Sequence, residues 1–172
     1  MLFRSAEAAE RDFLAHMEGQ RNATLLVWQG QVGAAPAKVM IDTGASSAFI
    51  SAGFVQRFGL TTHRLPSPRS VEYGDGRRIA ITEEVRDAHL SIAGHQALAG
   101  PMAVVPVGSV DVILGMPWMA SNHVTIEAGD AGSTVHVRPP HDVAAPFILH
   151  THDQPRALET LSWHRLTHML NK

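Results

Sequence analysis

The stretch Val39-Met40-Ile41-Asp42-Thr43-Gly44-Ala45-Ser46-Ser47-Ala48-Phe49-Ile50-Ser51 decides how this chain is read. An apolar run with the texture of a buried strand ends on a carboxylate, and Thr, Gly and small hydroxyl residues follow at once. Burial at the end of such a strand raises the cost of ionising Asp42 unless something compensates. Gly44 lets backbone approach the carboxylate closely, so that its N–H can donate to it. The Thr43 hydroxyl can anchor the turn. A segment of this kind holds a carboxylate rigidly at the floor of a cleft. Alone, an Asp-Thr-Gly is weak, since an aspartate in a turn or helix cap explains it equally well.

Working outward, a second element stands well downstream: Val110-Asp111-Val112-Ile113-Leu114-Gly115-Met116-Pro117-Trp118-Met119. Branched apolar residues and a glycine end a strand, and a short helix near Trp118 to Ser121 follows. Between the two lies Gly74-Asp75-Gly76, flanked by Val71–Tyr73 and Arg78–Thr82. Asp-Gly tolerates positive φ, so this is a tight-hairpin signal and a segment suited to a mobile lid. Further strand-like runs are Ala23–Trp28, Lys38–Ile41, Val85–Ile92, Met102–Val107, Val110–Leu114, Val124–Glu127 and Thr134–Val137. A helix is expected over Ala52–Phe58, stopped by Gly59. Many short strands at close spacing predict an all-β sandwich or closed barrel with one or two short helices.

Both ends have a different texture. Residues 1–21 read as an amphipathic helical extension, with Ser5 as N-cap, Ala6, Ala9, Phe13 and Met17 as a weak apolar stripe, and Gly19 as the stop. Residues 22–138 hold the β-rich domain. Pro139-Pro140 ends its last strand, and residues 139–172 are expected to be a linker-like extension. It carries a helix from about Arg156 to Leu170.

The 172 residues suffice for one domain with a real core. The formal net charge of −2 does not imply a nucleic-acid partner. With Cys 0 there is no disulfide, thiol nucleophile or cysteine-type zinc site. No apolar run approaches the roughly 20 residues a membrane helix needs. Glu7, Glu10, Arg11 and Asp12 occupy the region where a signal peptide has its apolar core. A soluble, cytoplasmic protein is the expectation.

Taken together and in this order, Ile41-Asp42-Thr43-Gly44-Ala45-Ser46, Phe49-Ile50-Ser51, Phe54 through Gly59-Leu60, the Asp75-Gly76 hairpin and Val110 through Trp118 resemble the retropepsin-like aspartic proteases. The likeness is greatest to the enzymes of gypsy-type LTR retrotransposons, and it covers roughly residues 22–138. It implies a retropepsin-like all-β fold and a peptide-hydrolysing site with Asp42, Thr43 and Gly44 in the catalytic loop. Members of that family need two aspartates that share a proton and activate one water. Only Asp42 here is followed by Thr/Ser-Gly; Asp75, Asp87, Asp111, Asp130, Asp142 and Asp153 are not. The resemblance therefore implies a homodimer in which each copy supplies Asp42, and Thr43 bonds across the axis. It further places Tyr73, Gly74, Asp75, Gly76 and Arg77 in a flap. Ala45, Ser46, Ile79 (or Ile81), Ile113 and Gly115 fall around an extended peptide or polyprotein substrate. No cofactor and no metal are implied.

Two rivals stand beside this reading. One is an inactive or domesticated dimer that grips extended peptides in the same cleft without cutting them. The other is a metal site among the 11 histidines, for instance His164 with His168 at helical i,i+4 spacing, or His150 with His152. Arg165, Leu166 and Thr167 between the first pair are not the His-Glu-x-x-His pattern of a zinc protease, so a solvated tail is preferred. Ser46-Ser47 lacks the Gly-x-Ser-x-Gly frame of a nucleophile elbow.

Overall fold

The computed structural model describes residues 25–73, 76–129, 132–141 and 144–153. β1 (Val27–Val32) and β2 (Ala35–Ile41) form an antiparallel hairpin in register from Val27↔Met40 to Val32↔Ala35. Gly33 turns it at φ +60°, a conformation glycine adopts without steric cost. Along β2, Ala35, Ala37, Val39 and Ile41 are buried while the residues between them are less so, the period-two pattern of a strand with one face in the core.

β3 (Ala48–Ser51) is buried throughout and runs straight into α1 (Ala52–Phe58). The Ser51 hydroxyl caps the helix by accepting from the Phe54 N–H at 3.4 Å. Gly59, left-handed at φ 62°, closes it where the sequence predicts a stop. Next come β4 (His63–Glu72) and β5 (Arg78–Val85), longer than the sequence suggests, then β6 (His89–Ile92) and β7 (His95–Leu98). The run read as one piece from Val85 to Ile92 is thus two strands, broken at Asp87, which has φ 54°. β8 (Met102–Val105), β9 (Val112–Leu114) and α2 (Met116–Ser121) follow. Then come β10 (Thr125–Gly129), β11 (Gly132–Val137), β12 (Phe147–His150) and a 3-10 turn at Thr151–Asp153.

The architecture is all-β. A nine-stranded mixed sheet has the order β4-β5-β8-β3-β9-β2-β1-β6-β7, and β10-β11-β12 form a second, three-stranded sheet. Among the described residues the large sheet is open rather than the closed barrel that was one form of the expectation. Its edge strands β4 and β7 are mostly exposed, so neither has a partner on which to close. The main core runs through both sheets: Trp28, Val39, Ile50, Leu90, Ile92, Val112, Leu114 and Trp118 meet Val135, Val137, Phe147 and Leu149. Each fully buried large side chain among these contributes about 2 kcal/mol.

β12 lies where the sequence suggests only a loop. Phe147 and Leu149 turn into the core, and the Trp28 indole N–H donates to the His150 carbonyl at 3.1 Å. The helices expected at residues 1–21 and near Arg156–Leu170 lie outside the described residues, as do Gly74 and Asp75. No described helix is long and apolar enough to cross a membrane.

Candidate active site

β9 is the element that builds the site. It lies between β2, to which it is parallel (Val39↔Val112 to Ile41↔Leu114), and β3, to which it is antiparallel (Ala48↔Leu114 to Ile50↔Val112). The connection from β2 to β3, residues 42–47, must therefore wrap over the end of β9. Asp42 is the first residue of that wrap. Its N–H donates to the Leu114 carbonyl at 3.0 Å, its carbonyl accepts from the Ala45 N–H at 3.1 Å, and its Oδ1 accepts from the Gly44 N–H at 2.8 Å. Both the main chain and the carboxylate of Asp42 are thus held by fixed backbone dipoles. The residue is half-buried, while Thr43, Gly44 and Ser46 are exposed at the loop surface.

The far side of the loop is braced by Gly115. A Cβ there would lie 2.3 Å from the Ala45 carbonyl oxygen and 2.4 Å from that of Ser47, so only glycine permits the approach. The next residue, Met116, donates its N–H to the Ala45 carbonyl at 2.9 Å. Gly115, expected as a substrate contact, is buried against the loop's own backbone.

A smaller apolar cluster gathers several other expected residues. Phe49, Ile81, Ala103 and Val105 form its centre, and Ala45, Leu65, Val71, Ile79, Val107 and Ile113 border it. Ala45 of the Asp42 loop, Ile79 of β5 and Ile113 of β9 all border this one cluster. The β4–β5 hairpin projects from this cluster. At its tip the Tyr73 N–H donates to the Arg77 carbonyl at 2.8 Å and the Gly76 N–H to the Tyr73 carbonyl at 2.9 Å. The Arg77 guanidinium lies 5.7 Å from the centre of the Tyr73 ring.

Asp111 and Arg57 have a part that the sequence reading does not assign. Asp111 Oδ2 accepts from the Lys38 N–H at 2.8 Å, and Oδ1 accepts from Arg57 Nη2 at 3.1 Å. The Asp111 carbonyl accepts from the Ser51 N–H, and its N–H donates to the Lys38 carbonyl. One residue thus ties the entry to β9 to β2, β3 and α1. The signal was present: a lone carboxylate inside the apolar run Val110–Leu114.

Two surface cavities lie elsewhere. One of about 330 Å³ is lined by Trp28, His95, Ile148 and His150. Another of about 230 Å³ lies behind the loop, against Ser47, Ala48, Leu98, Trp118 and Asn122. Neither is lined by Asp42. The His150 and His152 rings stack with centres 4.9 Å apart. Among the described residues no group of three or more His, Asp or Glu is placed to hold a metal ion. His164 and His168 lie outside the described residues.

The all-β fold, with a loop beside its central strand that holds a carboxylate by a glycine N–H, is of the acid-protease type. The retroviral aspartyl protease family matches residues 12–138, well over half of the 172-residue chain, and the protein belongs to that family. A comparison with curated proteins returns no match.

Proposed function

We propose that the protein is an aspartic endopeptidase acting as a homodimer, with Asp42 of each copy meeting at a two-fold axis. The observation that carries this reading is the seat of Asp42: a carboxylate fixed at 2.8 Å to the Gly44 N–H, at the surface of a loop that exposes Thr43 and Gly44. The chemistry needs two carboxylates, and a second copy supplies the other. Two like charges a few ångströms apart do not both ionise, so the pair holds one proton. The ionised member takes a proton from water as that water's oxygen attacks the scissile carbonyl carbon. The protonated member hydrogen-bonds to the carbonyl oxygen and stabilises the charge that forms there. Collapse of the tetrahedral species breaks the C–N bond, with a proton passing from the carboxyl pair to the leaving nitrogen. The β4–β5 hairpin serves as the flap. The apolar surface at Ala45, Ile79 and Ile113 receives substrate side chains, and a retroelement polyprotein is the natural substrate class.

The test compares wild type with Asp42→Asn on a peptide library between about pH 4 and 7, a range set by the coupled titration of a carboxyl pair. Cleavage by wild type that pepstatin blocks and the variant lacks supports the enzyme. Equal peptide binding by both proteins without cleavage assigns the cleft to a non-catalytic peptide-binding dimer instead.

A further inference from the structure

The flap hairpin is not one continuous ladder. Arg64 pairs with Glu83 and Arg69 pairs with Ile81, so Leu65, Pro66, Ser67 and Pro68 all stand opposite Thr82 alone. Pro66 and Pro68 have no N–H to give to a ladder, and excess residues on one strand bend it. The hairpin therefore has two parts. Its base is fixed to the body of the sheet through Glu84↔Ala103 and Val85↔Met102. Its outer arm, Arg69–Glu72 with Arg78–Ile81, is paired only within itself.

Ile81, Ile79 and Val71 of the arm pack on the cluster of Phe49, Ala103 and Val105, and beside that apolar packing an ion pair, Arg69 with Glu84, spans the break. Glu84 lies in the base and is 6% exposed, a buried carboxylate that the proposed chemistry does not use. Its Oε2 accepts from Nη2 of Arg69, the first residue of the outer arm, at 3.0 Å. Its Oε1 accepts from Arg86 Nε at 2.7 Å. Arg86 sits two residues along on the same side of the break, so it neutralises Glu84 without holding the arm.

We propose that Glu84 is a positioning residue for the flap. Through Arg69 it latches the outer arm to the sheet, with Leu65–Pro68 as the hinge, and so sets how firmly the arm closes over a bound peptide. This rests on reading the β4–β5 hairpin as the flap of a peptidase. Arg69 is the informative position, because its side chain is 56% exposed and removing it leaves the Glu84–Arg86 pair intact.

The experiment uses the full chain as wild type, Arg69→Ala, Arg69→Lys and Arg86→Ala. Hydrogen–deuterium exchange is followed at the amides of 69–72 and 78–81, with KM and kcat measured on a cleaved peptide. Arg69→Ala is expected to speed exchange in the arm about fivefold and raise KM about fivefold, with kcat within roughly twofold of wild type. Arg69→Lys recovers part of both effects, and Arg86→Ala leaves both near wild type. The proposal is overturned if Arg69→Ala exchanges like wild type, if Arg86→Ala matches it, or if exchange rises equally in β1 and β2. It is also overturned if the arm loosens while KM stays unchanged. A wild type that cleaves nothing removes the peptidase reading and the kinetic role with it, while exchange alone still decides whether the latch exists.

Discussion

The Lys38 backbone N–H donates to Asp111 Oδ2 across 2.8 Å, joining the middle of β2 to the residue just before β9. Sheet ladders alone pair β9 with β2 only from Val112 onward. The Asp111 side chain extends that grip one step further and adds Arg57 of α1 to it. The strand that lifts the Asp42 loop is thereby fixed at its entry by a carboxylate and at its exit by Gly115.

Asp111→Ala should destabilise the protein by about 2 kcal/mol, because the Lys38 N–H loses its side-chain acceptor. The Arg57 pair adds little to this, since the arginine side chain is 58% exposed and water screens it. Asp111→Asn keeps an oxygen for Lys38 and should cost about 1 kcal/mol or less. Urea midpoints of the three proteins check the order. A wild-type midpoint for Asp111→Ala would sink the argument.

Gly115→Ala tests the other end of β9. The added methyl would stand 2.3 Å from the Ala45 carbonyl oxygen, and the neighbours it meets are backbone, which cannot swing away. Overpacking of this kind typically costs about 1–3 kcal/mol, and here the displaced atoms carry Asp42. Peptidase activity is expected to fall further than the thermal midpoint predicts. A variant that melts earlier yet retains wild-type kcat would show that the loop does not depend on this approach.

These two positions also mark how far the sequence could be read. The run into Asp42 and the Ala52–Phe58 helix with its stop at Gly59 are legible because local chemistry decides them. The hairpin signal between Val71 and Thr82 is matched by the β4–β5 pairing, its tip at Gly74-Asp75 lying outside the described residues. β1 and β4 overlap their sequence readings only at Val27–Trp28 and Val71–Glu72, and two further strands, β7 and β12, have no such reading at all. β7 buries only Ala97 of its four residues, so its alternation is too weak to register. β12 follows a proline-rich connection and becomes a strand because Phe147 and Leu149 find the core beside Trp28, a tertiary cause. The two roles of Gly115 and Asp111 share this origin. Spacing shows a glycine and a carboxylate near a strand, but which backbone each one meets depends on β9 being threaded between β2 and β3.

Ile79 offers a test of the apolar surface beside the loop. It is half-buried on β5 against the Phe49–Ile81 cluster, so truncation leaves most of that cluster in place. Ile79→Ala is expected to raise KM about tenfold for peptides with large apolar side chains near the cut, and much less for those with small ones. Steady-state kinetics on paired peptides give the ratio. An equal change for both peptide classes would remove Ile79 from the substrate surface.

The last strand yields the sharpest stability prediction. β12 pairs with β11 from Val137↔Phe147 to Thr134↔His150, and the Thr151 hydroxyl accepts from the Ser133 N–H at 2.8 Å. Leu149 is 2% exposed, whereas its neighbour Ile148 is 48% exposed. Leu149→Ala should therefore cost about 2–4 kcal/mol and lower the melting temperature by roughly 5–10 °C, while Ile148→Ala changes it little. A chain shortened to end at Arg138 loses Phe147 and Leu149 together and uncovers Val135, Val137 and Trp28. It is expected to lose cooperative unfolding in calorimetry, even though it retains the whole span, residues 12–138, by which the family is recognised. If that shortened chain instead melts as a single transition near the wild-type temperature, β12 is an attachment to the protease fold and not a part of its core.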